Sequence, residues 1–532
     1  MDVRFRRNSF PNPAQSSAQE DGTVFFDNTT RKIFVGGVAY DGKMDEDYLS
    51  LDATQALTDI QKQTVLTKLG IADEMVFVDL LCGNSSESES DIIGAEVSLT
   101  YGGNTTTRTW SGTTLVFVVP MFEDYTISFG TVAGYYTPDS ISKRSRKNMV
   151  RRVTAQYDNA EYNDLSMLDH TGTPMAQRET ANCYVISGRG YYELPIVYGC
   201  GITGGTENTE SYTQVTGTNT KPFYNYLNNQ ITSAFIEDDT GVSPVSADVV
   251  LADSASFGID GVYVVDRGLC KFMRFHVSSV PALGGNATIA VKDSGGQIMW
   301  SWHIWAYPFT LSTFQHTSSS NRTYDIMDVN LGWVKSAADS VKGTSPYYQW
   351  GRKDPMLRNG GTAAMGSFSV STTAPSVAAT IQNPTTFNMG ESTNNNWWNN
   401  NGAAVNFYNY WDASQTSTGS GYRAIVKTVY DPCPTGFHIP CGETFTGFST
   451  RNGGTFDNGY TWDGNFFQAA GYRARASGSV TNAGSYGYYW SAASNSATSA
   501  YSLNFNSGSV TPQYNFHRAN GFSVRPVRRP QN

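Results

Sequence analysis

The chain has 532 residues, a formal net charge of −9 at pH 7, and an aromatic content of 13%. This length exceeds what one hydrophobic core supports and predicts several domains, while 51 Gly, 31 Tyr and 28 Phe favour short strands and turns over helical bundles. The negative charge excludes the overall positive potential on which nucleic-acid binding depends, and no stretch approaches the roughly 20 apolar residues of a membrane span. We therefore predict a mainly β protein with no nucleic-acid partner and no membrane span.

The N-terminal segment, residues 1–50, begins with a polar arm and continues with two alternating apolar runs. Val24 to Phe26 and Ile33 to Val35 are separated by polar residues, which is the pattern of a β-hairpin. A short hairpin followed by a linker at an N-terminus resembles the attachment ends of phage fibre proteins. The resemblance implies that this segment binds other virion proteins, and an ordinary edge hairpin of the next domain is the alternative. The implied anchoring residues are Phe25, Phe26, Ile33 and Phe34.

One helix is predicted, within residues 51–73. Leu57, Ile60, Val65 and Leu69 lie near helical spacing, and Gly70 is a stop signal. The run ALTDIQKQTVLTKLGI resembles a short helical spacer that recurs in phage tail and head fibres. The resemblance implies a spacer between the hairpin and the domains that follow.

Two β-sandwich modules are predicted next. Residues 74–158 alternate with period two between Gly and Pro turns and resemble the Ig-like and PEGA-like spacer modules of surface proteins. Residues 159–335 contain ANCYVISGRG and GNATIAVKDSGGQIMWSWHIW, which resemble paired segments of gut-Bacteroidetes surface proteins. Within the second segment, Trp300, Trp302 and Trp305 form either a buried aromatic core or a ledge that stacks on sugars.

The last 197 residues, 336–532, carry four motifs in order: YYQWGRKDPM, KTVYDPCPTGFHIP, GYYWSA and GFSVRPVR. Together they resemble the Fibrobacter succinogenes major paralogous domain, with His438 and Cys441 as departures from its pattern. The resemblance implies a C-type-lectin-like α+β domain. It implies the fold without the activity of the related formylglycine-generating enzymes, because the last cysteine is Cys441.

The loops between these motifs are rich in Asn, Ser, Tyr and Phe and are similar to the variable residues of diversity-generating retroelement proteins. Such residues combine large contact area with adaptable hydrogen bonding, as in antibody paratopes. The frame residues Trp490, Phe505, Phe522 and Val524 are predicted core, and a static polar loop region is the alternative for the rest. The predicted receptor-binding residues are Ser494, Asn495, Ser496, Tyr501, Asn504, Asn506, Gln513, Tyr514, Asn515, Phe516 and His517, with Trp397 and Trp398 as possible glycan contacts.

No catalytic residue or cofactor is predicted. The run from Asp293 to Gly296 superficially resembles a serine-protease nucleophile segment but is better explained as a turn. Ca²⁺ is possible at loops such as Asp457–Asn458, although the spacing identifies no ligand set. We expect buried free thiols rather than the pairs Cys183/Cys200 or Cys433/Cys441.

These observations predict a non-enzymatic phage fibre protein that binds a host-surface glycan or protein through its C-terminal domain. The basic N-terminus is not followed by an apolar signal region, so we expect assembly in the host cytoplasm and location in the virion. Fibres are usually symmetric, which favours a homotrimer. A structural virion decoration or spacer protein and a bacterial cell-surface adhesin are the alternatives.

Overall fold

The protein is mainly β. The structure is a computed structural model that describes residues 74–82, 92–157 and 162–529, together with strands within residues 2–50. Within those ranges it leaves out residues 133–134, 136, 139, 147–149, 218, 269, 340, 391–395 and 399–406. The chain divides into two compact units, residues 1–161 with 265–271, and residues 162–264 with 272–532.

The predicted N-terminal hairpin is confirmed. In it Phe25 pairs with Phe34 and Phe26 with Ile33 in antiparallel register. The predicted helix of residues 51–73 lies outside the described residues. The strands of this segment are β1 (Asp2–Val3), β2 (Val24–Asp27), β3 (Lys32–Val35), β4 (Val38–Tyr40), β5 (Lys43–Asp45) and β6 (Tyr48–Ser50).

The first predicted β-sandwich is built from two sheets that share one core. Its strands are β7 (Glu74–Cys82), β8 (Glu96–Tyr101), β9 (Asn104–Thr109), β10 (Leu115–Val119), β11 (Asp124–Phe129), β12 (Ile141–Arg144) and β13 (Val150–Tyr157). The sheet orders are β10-β7-β13 and β12-β11-β8-β9. Alternate residues such as Val78, Val97 and Ile127 point into the common core, as the period-two pattern requires.

The second unit contains the remaining strands and two short α-helices. The first strands are β14 (Asn163–Asp164), β15 (Cys183–Ile186), β16 (Gly190–Pro195), β17 (Ile202–Thr203), β18 (Thr206–Glu207), β19 (Ser246–Ala252), β20 (Gly258–Asp266), β21 (Lys271–Ser279), β22 (Gly285–Lys292), β23 (Ile298–Ala306), β24 (Thr313–Thr317), β25 (Thr323–Met327), β26 (Val334–Lys335) and β27 (Gly343–Thr344). The others are β28 (Tyr348–Gln349), β29 (Met365–Gly366), β30 (Ser369–Ser371), β31 (Thr386–Asn388), β32 (Phe437–His438), β33 (Gly459–Trp462), β34 (Asn465–Gln468), β35 (Tyr472–Arg473), β36 (Val480–Thr481), β37 (Tyr486–Ser494), β38 (Ser499–Asn506), β39 (Ser509–His517), β40 (Gly521–Phe522) and β41 (Val527–Arg528). The helices are α1 (Ile236–Thr240) and α2 (Val377–Gln382), and 3₁₀ turns span Leu165–Met167 and Thr209–Ser211.

Sheets of this unit join strands from both sides of the predicted boundary between residues 335 and 336. Strand β19 pairs with β29, where Leu251 lies opposite Gly366, and β25 pairs with β41, where Ile326 lies opposite Val527. The two predicted modules therefore pack as one compact unit. The boundary between residues 335 and 336 remains a prediction from the sequence.

Strand β23 is buried on both faces. Trp300, Trp302 and Trp305 are at most 1% exposed, so the buried-core interpretation is confirmed and the sugar-stacking ledge is wrong. On the face of β23 opposite to Trp300 and Trp302, His303 Nε2 lies 2.8 Å from Asn286 Oδ1. Burial lowers the pKa of His303 to about 3, which keeps the imidazole neutral.

The DPCPTGFHIP motif is a structural loop held by buried charged side chains. The Asp431 carboxylate accepts hydrogen bonds from the backbone N–H groups of Cys433 and Ile439 at 2.7 and 2.9 Å. Lys427 Nζ donates to three backbone carbonyls of the same loop, including that of Phe437 at 2.7 Å. Asn182 of the ANCY motif donates to the carbonyl oxygens of residues 429 and 431. These contacts give the motif residues a structural role that requires no catalytic one.

Four cysteines of the second unit, Cys183, Cys200, Cys433 and Cys441, are buried free thiols, as predicted. In the described part of the chain, no helix is long and apolar enough to cross a membrane.

Candidate recognition surface

The predicted recognition residues lie on and around a three-stranded antiparallel sheet, β37-β38-β39. One face of this sheet packs on the core through Tyr489, Leu503 and Phe505, each fully buried. The predicted frame residues Trp490, Phe522 and Val524 are also fully buried, and so is Phe505, so this prediction is confirmed. The core fixes the position of the opposite face, because successive side chains of a strand alternate between faces.

The opposite face carries a cluster of aromatic rings. Tyr488 lies at its centre, with ring centroids 4.9 Å from Tyr472, 5.2 Å from Phe516 and 6.0 Å from Tyr486. Tyr514 lies 4.8 Å from Phe516 and is 45% exposed. We call the group formed by Tyr472, Tyr486, Tyr488, Tyr514 and Phe516 the aromatic face; Tyr488 is only 4% exposed, whereas the other four are at least partly exposed.

Buried rings support the aromatic face from below. Phe522 packs 5.3 Å from Phe516 and 5.0 Å from Tyr488, and it stacks on Trp490 at 4.1 Å. The Trp490 indole donates to the backbone carbonyl of Tyr348, which fixes its orientation. Burial raises the pKa of Tyr488, so its hydroxyl remains protonated and able to donate a hydrogen bond. The rings are therefore ordered before any ligand arrives.

Asparagines border the aromatic face. Asn504 lies opposite Tyr488 in the β37–β38 register, and Asn506 lies opposite Tyr486. Both are partly exposed. Asn504 Nδ2 donates to the Gly487 carbonyl at 3.4 Å, and Asn506 Oδ1 accepts from the backbone N–H groups of Gly508 and Ser509 at 2.8 and 3.0 Å. The surface thus combines flat apolar rings with amide groups that are in part used within the protein.

The pleat of β39 divides the predicted contacts into two groups. Tyr501 lies opposite Asn515, and Ser499 lies opposite His517, whereas Ser502 lies opposite Tyr514. Because adjacent residues point to opposite faces, Asn515 and His517 project away from the aromatic face, together with Tyr501. The run from residue 514 to residue 517 does not form one contact surface.

Three predicted contacts lie at the end of β37 and in the turn that leads to β38, and the buried Arg518 side chain holds this turn. Arg518 Nη2 donates to Ser494 Oγ at 2.9 Å and to the Ser496 carbonyl at 2.6 Å. Ser494 is fully buried, so its assignment as a receptor contact is wrong. Asn495 Oδ1 accepts from Ser499 Oγ at 2.9 Å, and Ser496 Oγ accepts from the Ser499 backbone N–H at 3.1 Å. Asn495 and Ser496 remain partly exposed, but their side chains stabilise the turn.

The side-chain amide of Gln513 is also used inside the protein. Its Nε2 donates to the carbonyl oxygens of Ser420 at 2.6 Å and Gly442 at 3.1 Å. Gln513 therefore fastens β39 to a neighbouring loop, which leaves its Oε1 as the atom able to meet a ligand.

Trp397 and Trp398 are core residues, so their prediction as glycan contacts is wrong. They are 1% and 2% exposed and pack edge to face with centroids 4.5 Å apart. The Trp397 indole donates to the Trp350 carbonyl at 2.7 Å, and Trp398 packs 5.0 Å from Phe407. Their neighbours in sequence are polar, but these two rings fill the interior, where their apolar area is removed from water.

Tyr472 and Tyr486 belong to the aromatic face but are not among the residues predicted from the sequence. They precede the Asn-rich and Ser-rich run on which that prediction rested. The signal was present in YGYYW, where Tyr486 and Tyr488 are two residues apart and so point to one face of a strand.

The loops with possible chemistry have structural explanations. The Asp293 carboxylate accepts hydrogen bonds from the N–H groups of Gly295 and Gln297, both at 2.9 Å, and so closes the turn between β22 and β23. The turn interpretation is therefore confirmed. Asp457 pairs with Lys342 at 2.7 Å, and Asp463 Oδ2 lies 2.7 Å from His316 Nδ1. Among the described residues, no group of three His, Cys, Asp or Glu side chains is arranged to hold a metal ion.

A family model described as "Domain of unknown function (DUF8237)" matches residues 461–527. No curated protein matches the chain. The matched residues run from β33 to β41 and contain the whole sheet that bears the aromatic face.

Two solved structures are similar to the chain, each at 10% identity. The Bacillus anthracis TIE protein aligns over 44% of this chain and 31% of its own, with a TM-score of 0.14. The major pilin subunit of Bacillus cereus aligns over 48% of this chain and 74% of its own, with a TM-score of 0.13. The chain thus spans less than a third of the TIE protein.

Proposed function

We propose that this chain is a non-enzymatic receptor-binding protein of a phage fibre, which binds a host-surface glycan or protein through a C-type-lectin-like domain, residues 336–532. The observation that carries the proposal is the aromatic face, in which Tyr514 and Phe516 lie on an outer strand over buried rings. Tyr and Asn together supply rigid contact area and adaptable hydrogen bonds. In this proposal the N-terminal hairpin, with Phe25, Phe26, Ile33 and Phe34, anchors the chain to the virion.

The rigidity of the aromatic face supports a binding role. Ordering a side chain on binding opposes affinity, and rings that are already packed avoid much of that loss. In a homotrimer, three copies engaging one cell surface raise the apparent affinity without new contacts.

The proposal is tested by binding of the purified full chain to host cells, measured by flow cytometry. The double variant Tyr514→Ala/Phe516→Ala should lose at least nine-tenths of the bound signal. Tyr191→Ala is the matched control, because Tyr191 is 46% exposed but lies on β16, outside the aromatic face. Equal binding by the double variant and the control would overturn the proposal.

Location distinguishes the phage fibre from a bacterial surface adhesin. Antibodies against the chain should decorate purified virions, and removal of residues 1–50 should abolish incorporation into them. Labelling of uninfected bacteria instead would favour the adhesin, with the same aromatic face as its contact surface.

A further inference from the structure

The sheet that bears the aromatic face carries no permanently charged side chain. Strands β37, β38 and β39 contain no Asp, Glu, Lys or Arg, and their one histidine, His517, projects to the opposite face. Burial and the charge of Arg475 lower the pKa of His517, so its imidazole is neutral at pH 7. On the adjoining strand β35, the Arg473 side chain next to Tyr472 is buried. An ionised ligand would therefore find no opposite charge on the aromatic face to replace its lost hydration.

Four rings of the aromatic face are open to a ligand. Tyr514 is 45% exposed, and Tyr472, Tyr486 and Phe516 are partly exposed over the largely buried Tyr488. The Tyr514 and Phe516 rings contact each other at 4.8 Å with a tilt of 42°. The face of an aromatic ring carries negative charge density, which attracts the C–H groups on the flat side of a sugar ring. These rings therefore suit a pyranose better than an ion.

Uncharged polar groups lie beside the rings. Asn506, which lies opposite Tyr486, uses its Oδ1 in the turn after β38, and its Nδ2 has no acceptor among the described residues. The amide Nδ2 of this partly exposed residue can donate to a sugar oxygen. The hydroxyl group of Tyr514 can donate and accept. Hydrogen bonding here thus matches a ligand rich in hydroxyl groups.

The exposed ring area separates a glycan from a folded protein as the ligand. An aromatic side chain presents roughly 150–250 Å² in all, and the most exposed of the four rings shows 45% of its surface, so together they offer at most about 450 Å². A stable protein–protein interface needs about 800 Å² from each partner. An area of the smaller size covers a few sugar residues.

We propose that the aromatic face binds an uncharged glycan of the host surface. The inference rests on the proposed function and narrows its receptor from a glycan or protein to a neutral carbohydrate. The rings hold the C–H faces of the sugars, and the amide and hydroxyl groups beside them fix the orientation.

The first test compares treated host cells as ligands for the labelled full chain, measured by flow cytometry. Periodate cleaves the C–C bond between adjacent hydroxyl-bearing carbons of sugars, so periodate-oxidised cells should lose at least nine-tenths of the bound signal. Cells exposed to quenched periodate are the control. Proteinase K treatment should leave binding intact where the glycan is not carried on protein.

The second test uses purified polysaccharides on a biosensor surface. Dextran, mannan and galactomannan are the neutral probes, and alginate is the anionic one. At least one neutral probe should be retained, and its affinity should change less than twofold as NaCl rises from about 50 to about 500 mM, because no charge pair is screened. Tyr514→Ala should weaken this binding about tenfold, whereas Asn515→Ala, an equally exposed position on the opposite face of β39, should change it less than twofold.

The outcomes distinguish this inference from the proposed function. The inference is overturned if periodate leaves cell binding intact, if alginate alone is retained, or if binding falls more than about tenfold with salt. Loss after proteinase K but not after periodate would identify a protein receptor and leave the proposed function standing. If untreated host cells do not bind the chain, the proposed function fails. Retention of a neutral polysaccharide in that case would still support the glycan site, and retention of none would overturn it.

Discussion

The guanidinium carbon of Arg518 lies 4.3 Å from the centroid of the Trp350 indole ring. Arg518 thus lies between the YYQWGRKDPM loop and the turn that joins β37 to β38. Its Nη1 donates to the Phe407 carbonyl at 2.5 Å, while its Nη2 holds the turn. One buried side chain therefore connects the frame of the domain with the sheet that carries the aromatic face.

Arg518→Met should destabilise the second unit by about 3 kcal/mol, because several buried carbonyl groups lose a charged donor. The urea midpoint of the intrinsic-fluorescence transition measures this loss. Arg475→Met is the matched control, since Arg475 is only partly buried, and its effect should stay within about 0.5 kcal/mol. Equal effects of the two substitutions would contradict the role assigned to Arg518.

The two faces of β39 should respond differently to substitution. Tyr514→Ala removes an exposed ring of the aromatic face and should weaken host-cell binding about tenfold, a loss of about 1.4 kcal/mol typical of an important contact. Asn515→Ala acts on the opposite face and should change the affinity less than twofold. A larger loss for Asn515→Ala would place the contact surface on the side of Tyr501 and His517. Both affinities are measured by titrating labelled protein onto cells.

Gly487 should tolerate no larger side chain. A Cβ at this position would lie 2.1 Å from the ring of Phe505, a buried residue that cannot withdraw. Gly487→Ala should therefore destabilise the sheet by about 1–3 kcal/mol. Gly508→Ala is a suitable control, because the nearest atom to its Cβ is 3.6 Å away. The thermal midpoints of both variants are measured by circular dichroism. An unchanged midpoint for Gly487→Ala would show that the sheet opens more easily than its packing indicates.

His303 should make the folded chain less stable as the pH falls. Its pKa is about 3 in the folded chain and 6.5 as the ordinary value, so the unfolded chain binds a proton over this interval and the folded chain does not. Stability is therefore highest above about pH 6.5 and decreases as the pH falls toward 3. In His303→Gln the slope of the unfolding free energy against pH should be smaller over this interval. An unchanged slope would assign the acid sensitivity to other groups, such as His438, whose pKa burial also lowers.

Thiol chemistry should report the burial of four cysteines. Burial raises the pKa of Cys200 to about 11 and also raises that of Cys183, so neither forms a reactive thiolate at neutral pH. Ellman's reagent should label at most two of the six thiols in the native chain and all six after unfolding. Labelling of three or more native thiols would mean that the second unit opens.

Local patterns predicted much of the fold. The alternation of apolar and polar residues identified the N-terminal hairpin, the first sandwich and strand β23. The sequence of a strand shows whether one of its faces or both are buried. The frame residues of the C-terminal sheet, such as Trp490 and Phe522, were recognisable because large apolar residues at alternate positions need a core.

Prediction failed where a distant residue decides the outcome. Ser494 resembles an exposed turn residue until Arg518, 24 positions later, accounts for its burial. Trp397 lies in a polar stretch, but its acceptor is the carbonyl of Trp350, 47 positions earlier. The composition of a segment reflects only residues that are near in sequence. The burial of Ser494 and Trp397 depends instead on residues that are near in space.

Strand β39 is the last strand of its sheet, and among the described residues no further strand pairs with it. An edge of this kind can recruit a strand from another molecule, which is a hazard when many copies are crowded together. Pro512 lies within β39 and has no backbone N–H to offer such a strand. Crowded copies of this chain are thereby discouraged from joining edge to edge, and the aromatic face stays accessible on each of them.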